Sequence, residues 1–472
     1  MPEKINRKDF ISLSFLASLS LYGKSFHLFD KAFFYPPETN VIYYKKGDTQ
    51  YELLRKGFNK RIDKYPEVIA LCKNSNGIAE AINYAKQNFL PVTVKSGGHC
   101  MEGFSCNNDG MVINLSLLKK IEWVDNETIK VQPACTLSQL YDELLPKKKI
   151  IPGGSCAGVG IGGLTLGGGY GLMSRRYGLT CDSLTEVTMV DGNGQIQNSI
   201  NDAGLLWACK GGGNGNFGVI AEMKFKVHTA PATLQSVRFR THNATASKAK
   251  FLLQQWFMLT KTLPPSCFSA FLLNGKTVYI LLTNSEMHTA EVRKTIAIFS
   301  KISEITSTSL PKEIGAALKV YYGQSQPVYF KNASAGLYRN FDEIEPFIEN
   351  VLQTVIDTPR MIYQVNTLGG NIKNADFAAA SSFAHRDYCY FSELQTYWED
   401  PAKSTKLIQQ FEAVQQLFKQ HNIKAQYRNY PDVNFENPQE LYYGVNYKKL
   451  QELKNRYDPQ NLIRSEQSIR NL

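Results

Sequence analysis

Ten glycines lie between Gly153 and Gly171, at positions 153, 154, 158, 160, 162, 163, 167, 168, 169 and 171. At average usage a segment of this length holds about one. Glycine loses more conformational freedom on folding than any other residue, so this density needs a structural reason. Backbone without side chains can approach a large polar group closely. Its N–H groups can converge on anionic oxygens, and positive φ is free of strain. Val159, Ile161, Leu164, Leu166 and Leu172 are interleaved with the glycines and argue against a floppy linker. Residues 151–182 therefore read as an ordered, buried cradle for an anion, with a glycine-rich turn set in a β domain as the plainer alternative.

A second stretch, residues 91–116, reads PVTVKSGGHCMEGFSCNNDGMVINLS. Residues 91–95 are β-rich, Ser96-Gly97-Gly98 turns sharply and presents His99, and 111–115 is the next strand. A histidine on such a turn sits where backbone comes close to a ligand. Taken alone it is as readily a hydrogen-bonded structural residue. Cys156, inside the glycine stretch, supplies a second reactive side chain.

Four segments together resemble the berberine bridge enzyme group of flavin-linked oxidases, within the vanillyl-alcohol oxidase type of FAD fold. They are SGGHCMEGFS, GGSCAGVGIGGLTLGGGYGLMSRRYGLTCD, LLWACKGGGNGNFGVI and the C-terminal NYPD…YYGVNYKKLQELKNRYDPQNLIRSEQSI. The resemblance covers most of residues 35 to 472. It implies an α+β fold, with a two-subdomain PCMH-type FAD-binding domain and an α+β substrate domain built on an antiparallel sheet. It also implies a bicovalent FAD, bonded through His99 to the flavin 8-methyl carbon and through Cys156 to ring carbon six. By match, the cofactor contacts in the first loop are Ser96, Gly97, Gly98, Cys100 and Gly103. In the glycine stretch they are Gly154, Val159, Gly160, Gly162, Gly163, Gly168, Gly169, Tyr170 and Gly171. A second glycine loop adds Gly212, Gly213, Asn216, Gly218 and Val219, and the C-terminal part adds Tyr430 and Asn446. Val159 matches the position that governs oxygen access in the family, where valine goes with oxidases.

Composition narrows the remaining classes. The 472 residues can bury a large core and suit two domains. The formal charge of +11 comes without a long basic run or basic–aromatic interleaving, which argues against nucleic acid as a partner. Nine cysteines form no zinc spacing and no C-x-x-C, so no metal is expected; disulfide pairing stays open, for example of Cys100 or Cys106 with another cysteine. The 25 tyrosines and 26 phenylalanines are mostly core, though a tyrosine-lined cleft suits sugars and aromatics. Basic residues precede an apolar stretch over 10–21 that is too short to span a bilayer. Asn6-Arg7-Lys8-Asp9-Phe10 resembles a twin-arginine export signal with lysine in the second place, which points to a periplasmic or secreted protein; an N-terminal amphipathic helix of a cytoplasmic protein is the alternative. Oligomeric state is left open.

In chain order, residues 1–29 form the export signal or helix, 30–228 the FAD-binding domain, 229–425 the substrate domain, and 426–472 a segment returning to the FAD domain. Strands are predicted over 68–72, 91–95, 112–115, 121–124, 129–131, 184–191 and 218–227. Helices are predicted over 77–88 and over 137–145 behind the N-cap Thr136, with Asp202 capping a further one. Asp191-Gly192-Asn193-Gly194 marks a hairpin. In the second part, strands fall over 237–241, 278–283, 362–367 and 388–397, with helices over 246–261, 290–301 and 447–456.

A flavin oxidant needs a positioned C–H donor, a base for the substrate proton and tuning of the ring. The resemblance makes Tyr430, in Asn429-Tyr430-Pro431-Asp432, the base. A tyrosine of ordinary pKa near 10 needs a neighbouring cation or carboxylate for that task. Alternation along 389–397 puts Phe391, Glu393, Gln395 and Tyr397 on one face, where Gln395 would bind a substrate hydroxyl and Glu393 would act as a second acid/base. Tyr363, Gln364 and Asn366 are further candidates. The chain departs from the family twice: Met101 stands where a tyrosine is common, and Asn366 where sugar-oxidising members carry an aspartate. The expected activity is oxidation of an alcohol or hemiacetal carbon, with an oligosaccharide going to a lactone as the leading substrate and O2 going to H2O2. The alternatives are an oxidase or dehydrogenase that tailors a secondary metabolite, and a catalytically silent flavin-binding protein.

Overall fold

The computed structural model describes residues 39–323 and 326–472. The export-like segment over 6–10 therefore lies outside the described residues. Three sheets organise the chain. The first contains β1 (Val41–Tyr44), β2 (Val68–Cys72), β3 (Val92–Lys95) and β4 (Met111–Asn114) in the order β1-β2-β4-β3. β2 pairs parallel with β4, and β4 with β3. Parallel strands are covered on both faces, which is why VIALC is apolar at every position and wholly buried. The helix Ser75–Gln87, capped by Asn74, packs Ile78, Ala81, Ile82 and Ala85 into that core.

The second sheet is antiparallel and runs β5 (Ile121–Trp123), β6 (Thr128–Val131), β10 (Gly218–Lys226), β8 (Leu184–Asp191) and β9 (Ile196–Asn198). The predicted hairpin joins β8 to β9, with Gly194 at φ 81° and Asp191 accepting from the Asn193 and Gln195 amides. Helix Leu137–Leu144 starts where expected: the Thr136 hydroxyl takes the Gln139 amide, and the Gln139 side chain takes the Thr136 amide. A two-stranded ribbon of β7 (Lys149–Ile150) and β11 (His228–Thr229) links this sheet to the third.

The third sheet contains β12 (Thr233–Thr241), β13 (Cys267–Asn274), β14 (Thr277–Asn284), β15 (Ile305–Thr308), β17 (Tyr329–Tyr338), β18 (Met361–Thr367) and β19 (Tyr390–Trp398). Its order is β15-β12-β14-β13-β18-β19-β17, with β16 (Lys312–Glu313) beside β12, and every pairing is antiparallel. The two faces differ in chemistry. Tyr363, Val365 and Leu394 point into an apolar core shared with helices Ala246–Thr260, Ile348–Asp357 and Ser404–Gln420. Their neighbours Gln364, Asn366 and Glu393 point the other way and line a cavity.

The C-terminal helix Tyr447–Tyr457, expected over 447–456, ends at Asp458 and locks onto the first two sheets. Lys454 is fully buried, pairs with Asp458 at 2.6 Å and donates to the Asn216 and Ile463 carbonyls. Asp458 in turn accepts from the Leu462 and Ile463 amides, and Val92 of β3 exchanges backbone bonds with Leu462 and Arg464. Strands β13 and β17 and helices Ile348–Asp357 and Ser404–Gln420 were not expected from the sequence. β13 (CFSAFLLN) is a short continuous apolar run, which periodicity cannot tell from a helix. Among the described residues no helix is long and apolar enough to cross a membrane.

Candidate active site

A cavity of about 340 Å³ is enclosed by the β3–β4 loop, the glycine stretch, the polar face of the third sheet and the turn around Tyr430. The first two walls close by backbone-to-backbone contact. A Cβ on Gly97 would lie 2.4 Å from the Gly160 nitrogen, and one on Gly160 would lie 2.7 Å from the Gly97 nitrogen. Side chains at either position would force the two loops apart. A Cβ on Gly158 would meet His99 Nε2 at 3.0 Å, so the segment carrying Cys156 backs directly onto the His99 imidazole. Part of the glycine density therefore serves loop-on-loop packing, and Ile161–Leu166 within it forms a short helix.

In the stretch 151–182, read from the sequence as the anion cradle, the Gly154, Ser155 and Cys156 N–H groups donate to no protein acceptor among the described residues, and the histidine loop holds a longer run of such donors. The backbone N–H groups of Gly97, Gly98, His99 and Cys100 donate to no protein acceptor among the described residues, and all four residues line the cavity. A run of unpaired donors beside a positive-φ glycine, Gly98 at φ 72°, is an anion-binding nest. Beneath it, Lys95 donates to the Leu54 and Lys56 carbonyls and anchors the turn. Burial lowers the Lys95 pKa to about 8.

His99 stacks on Phe58 with centroids 4.3 Å apart and planes 16° apart. Burial lowers its pKa to about 4, so the imidazole is neutral at physiological pH. The Cys156 thiol is pushed up to about 12, first by burial and then by the charge of Glu393. A dinucleotide fits these residues. The nest offers donors to its phosphates, and a neutral imidazole and a thiol on adjoining walls offer atoms able to bond carbon.

Across the cavity the third sheet presents Glu393, 2% exposed and held by Asn332 Nδ2 at 3.1 Å. Burial raises its pKa to about 7, against hydrogen bonds from Asn332, Asn366 and Gln395 that lower it. Tyr430 packs against Phe391 and Tyr427, with ring centroids 5.2 and 5.3 Å away. Its pKa lies well above 10, through burial first and then the nearby Glu393 and Cys156. Tyr430 thus stays protonated over the neutral range while Glu393 titrates within it, so the better base is the carboxylate. Gln364 Nε2 donates to Asn366 Oδ1 at 2.8 Å. Asn332 Oδ1 and Gln364 Oε1 are buried without a partner. Such orphaned atoms on a cavity wall suit the hydroxyls of a ligand.

Of the residues singled out from sequence, Ser96, Gly97, Gly98, His99, Cys100, Gly154, Cys156, Val159, Gly160, Gly163, Tyr170, Gly171, Glu393 and Tyr430 line the cavity. Met101, Gln364, Asn366 and Tyr397 do so too. The others sit elsewhere. Gly103 packs on Ile62 and Gly162 on Pro133. Gly168 and Gly169 take positive φ against Phe383 and Thr180. Gly212 lies under the Ala208 carbonyl, Gly213 under the Tyr443 hydroxyl, and Gly218 against Val190 and Met189. Val219 is in the core of the first sheet. Asn216 is spent on protein partners: its Nδ2 donates to the Gly212 carbonyl and the Tyr443 hydroxyl, and its Oδ1 accepts from Ile469. Asn446 donates to the Ser382 carbonyl. Gln395 is buried and accepts from the Tyr397 hydroxyl at 2.9 Å. Tyr363 faces the opposite core.

Sequence reasoning missed Asn332, Phe58 and Arg428, all on the cavity wall. It also missed Lys331, 2% exposed, which pairs with Glu102 at 3.2 Å and Asp432 at 2.8 Å. That pair of contacts ties the histidine loop to the Tyr430 turn through β17. All nine cysteines are free thiols.

Residues 66–199 match the family described as "FAD binding domain", and residues 426–470 match "Berberine and berberine like". An FAD-linked oxidoreductase of Dictyostelium discoideum is 30% identical over 448 residues, covering 91% of this chain and 94% of the relative. The glucooligosaccharide oxidase of Sarocladium strictum is 25% identical over 460 residues, covering 90% of this chain and 91% of its own. Among solved structures, a berberine bridge enzyme-like protein of Physcomitrella patens superposes with a TM-score of 0.82 at 20% identity, over 91% of this chain and 97% of that one. That likeness establishes the fold as the α+β PCMH-type FAD-binding architecture. With its FAD-binding and berberine-like segments in one continuous match, the chain belongs to the berberine bridge enzyme-like family of FAD-linked oxidoreductases.

Proposed function

We propose that this oxidoreductase oxidises the C–OH of a sugar hemiacetal or a related alcohol and passes the electrons to O2. The carrying observation is Glu393, buried in the cavity beside Tyr430 and Cys156 with a pKa of about 7. FAD, held through His99 and Cys156, supplies the hydride acceptor and the route to O2. Glu393 as carboxylate takes the hydroxyl proton, so that the substrate's H–C–O–H unit becomes a C=O group as two electrons and two protons leave in all; they reappear in H2O2. The Tyr430 hydroxyl stays protonated and donates to the substrate oxygen. Asn332 and Gln364 offer their unpartnered carbonyl oxygens to neighbouring hydroxyls and set the carbon's position. Positioning of this kind supplies much of the acceleration.

Two features favour a sugar. The cavity is lined by the paired rings Tyr329–Trp398, with centroids 6.5 Å apart, and Phe330–Tyr397, 5.8 Å apart, which offer apolar faces to pyranose C–H groups. The relative in Sarocladium strictum is named for glucooligosaccharides. Val159 on the wall supports access of O2. The N-terminal segment supports export. The test is anaerobic bleaching of the flavin band by a panel of mono- and oligosaccharides, alcohols and amines, followed by air. Bleaching by a sugar with fast recovery in air is expected. Bleaching only by amines, or no recovery in air, refutes the sugar or the oxidase half of the reading.

A further inference from the structure

The buried cations of this chain raise one question: what offsets each charge? Arg55, Lys331, Arg386 and Lys454 each hold a carboxylate, and Lys210, which bonds to no acceptor among the described residues, has Asp182 among its charged neighbours. Arg175 and Lys95 donate to main-chain carbonyls. Arg428 has neither. It is 6% exposed, its Nε donates to the Tyr443 hydroxyl at 3.2 Å, and the guanidinium lies over the rings of Phe104 and Tyr442 at 5.5 and 5.2 Å. Its two Nη groups meet no protein acceptor among the described residues, and the side chain lines the cavity. A buried charge without a counter-charge is costly, so such a site expects an anion.

The position of Arg428 says which anion. Its electrostatic neighbours are Tyr443, Tyr442 and Cys100, with no acidic group among them. Cys100 belongs to the run of consecutive residues with unpaired N–H groups. Phe104 belongs to the same histidine loop, and Ser105 and Ser465 line the cavity as well. The sugar-facing groups Glu393, Asn332 and Gln364 belong instead to the third sheet. A guanidinium facing a backbone nest is the arrangement that grips phosphate. We propose that Arg428 binds the diphosphate of the dinucleotide, completing with the Gly97–Cys100 amides a site for that group. This rests on the cavity of His99 and Cys156 being the FAD site.

The test uses the full chain carrying His99→Ala and Cys156→Ala, so that flavin exchanges freely. FAD and riboflavin, which lacks phosphate, are titrated by flavin fluorescence into this parent and into the same chain with Arg428→Gln or Arg428→Lys. Arg428→Gln is expected to weaken FAD about ten- to a hundredfold, the range of a charge-assisted hydrogen bond, while riboflavin changes less than about twofold. Arg428→Lys falls between. In the otherwise wild-type chain, Arg428→Gln lowers the flavin content of the purified protein. Equal weakening of both ligands would mean a structural role and overturn the proposal, as would unchanged FAD binding. Unchanged FAD binding together with a raised KM for acidic substrates alone would reassign Arg428 to an anionic substrate. A separate variant, Val159→Trp, fills the cavity from its own wall. If it folds by circular dichroism and still binds FAD with parental affinity, the dinucleotide lies elsewhere, and the cavity reading falls with the Arg428 role. If it loses FAD while Arg428→Gln does not, only the Arg428 role falls.

Discussion

Replacing Glu393 by glutamine separates two effects of one buried carboxyl, on rate and on stability. Moving a carboxyl pKa from 4.5 to about 7 corresponds to about 3 kcal/mol against ionisation in the folded chain. The sign follows from proton binding. Between these two values the folded state holds a proton that the unfolded state has lost, so stability falls as pH rises from 4.5 to about 7 and is level above it. Glutamine keeps the shape and removes the titration. Glu393→Gln is therefore expected to match wild type near pH 4.5 and to exceed it by up to about 3 kcal/mol at pH 8, about 3 °C in Tm for a chain of this length. Over the same range the base is lost, and kcat falls by about 10²- to 10⁴-fold. Wild-type kcat/KM rises with pH through an acid limb near 7, and that limb is absent from the variant. Tyr430→Phe lowers kcat but keeps the limb. The measurements are steady-state rates and thermal unfolding from pH 4.5 to 9, with flavin content as a control. A Glu393→Gln enzyme with wild-type kcat and an unmoved acid limb would refute the assignment. So would a variant less stable than wild type at pH 8 by the amount it is at pH 4.5, since that is a packing effect.

Three further outcomes follow from the same geometry. His99→Ala and Cys156→Ala alone each leave flavin attached after denaturation, and only the double variant releases it, as read by flavin fluorescence on denaturing gels. Val159→Leu slows reoxidation of the reduced enzyme by O2 in stopped flow and leaves anaerobic reduction by substrate within about twofold. Lys331→Met leaves Asp432 buried without its cation, while Glu102 keeps Arg61 at 2.7 Å, and costs about 3–5 kcal/mol, measured by denaturant unfolding; a cost under about 1 kcal/mol would show that water reaches Asp432.

Much of the architecture was readable from local chemistry. Thr136 marks a helix start, Asp191 to Gly194 a hairpin, and 68–72 a strand in an unbroken apolar run. These signals work because each is decided within one turn or one strand. The same holds for His99 on its Gly-Gly turn and for Cys156 among glycines. Glycine count, by contrast, says that backbone comes close to something without saying to what. Gly97 and Gly160 meet each other, Gly213 meets Tyr443, and the cavity-lining amides free to meet a ligand include those of Gly97 to Cys100 and of Gly154 to Cys156.

By itself the sequence determined those elements whose signal is local, through periodicity, capping and turn chemistry, and singled out His99, Cys156, Glu393 and Tyr430. Only the tertiary structure decided which of those side chains face one another. β17, β18 and β19 bring Asn332, Gln364 and Glu393 together from positions up to 61 residues apart, and the resulting burial, a property of no single segment, moves a carboxyl to about 7. The same burial leaves Arg428 without a counter-charge, because which charges end up paired depends on the packing of distant segments and not on the order of residues along the chain.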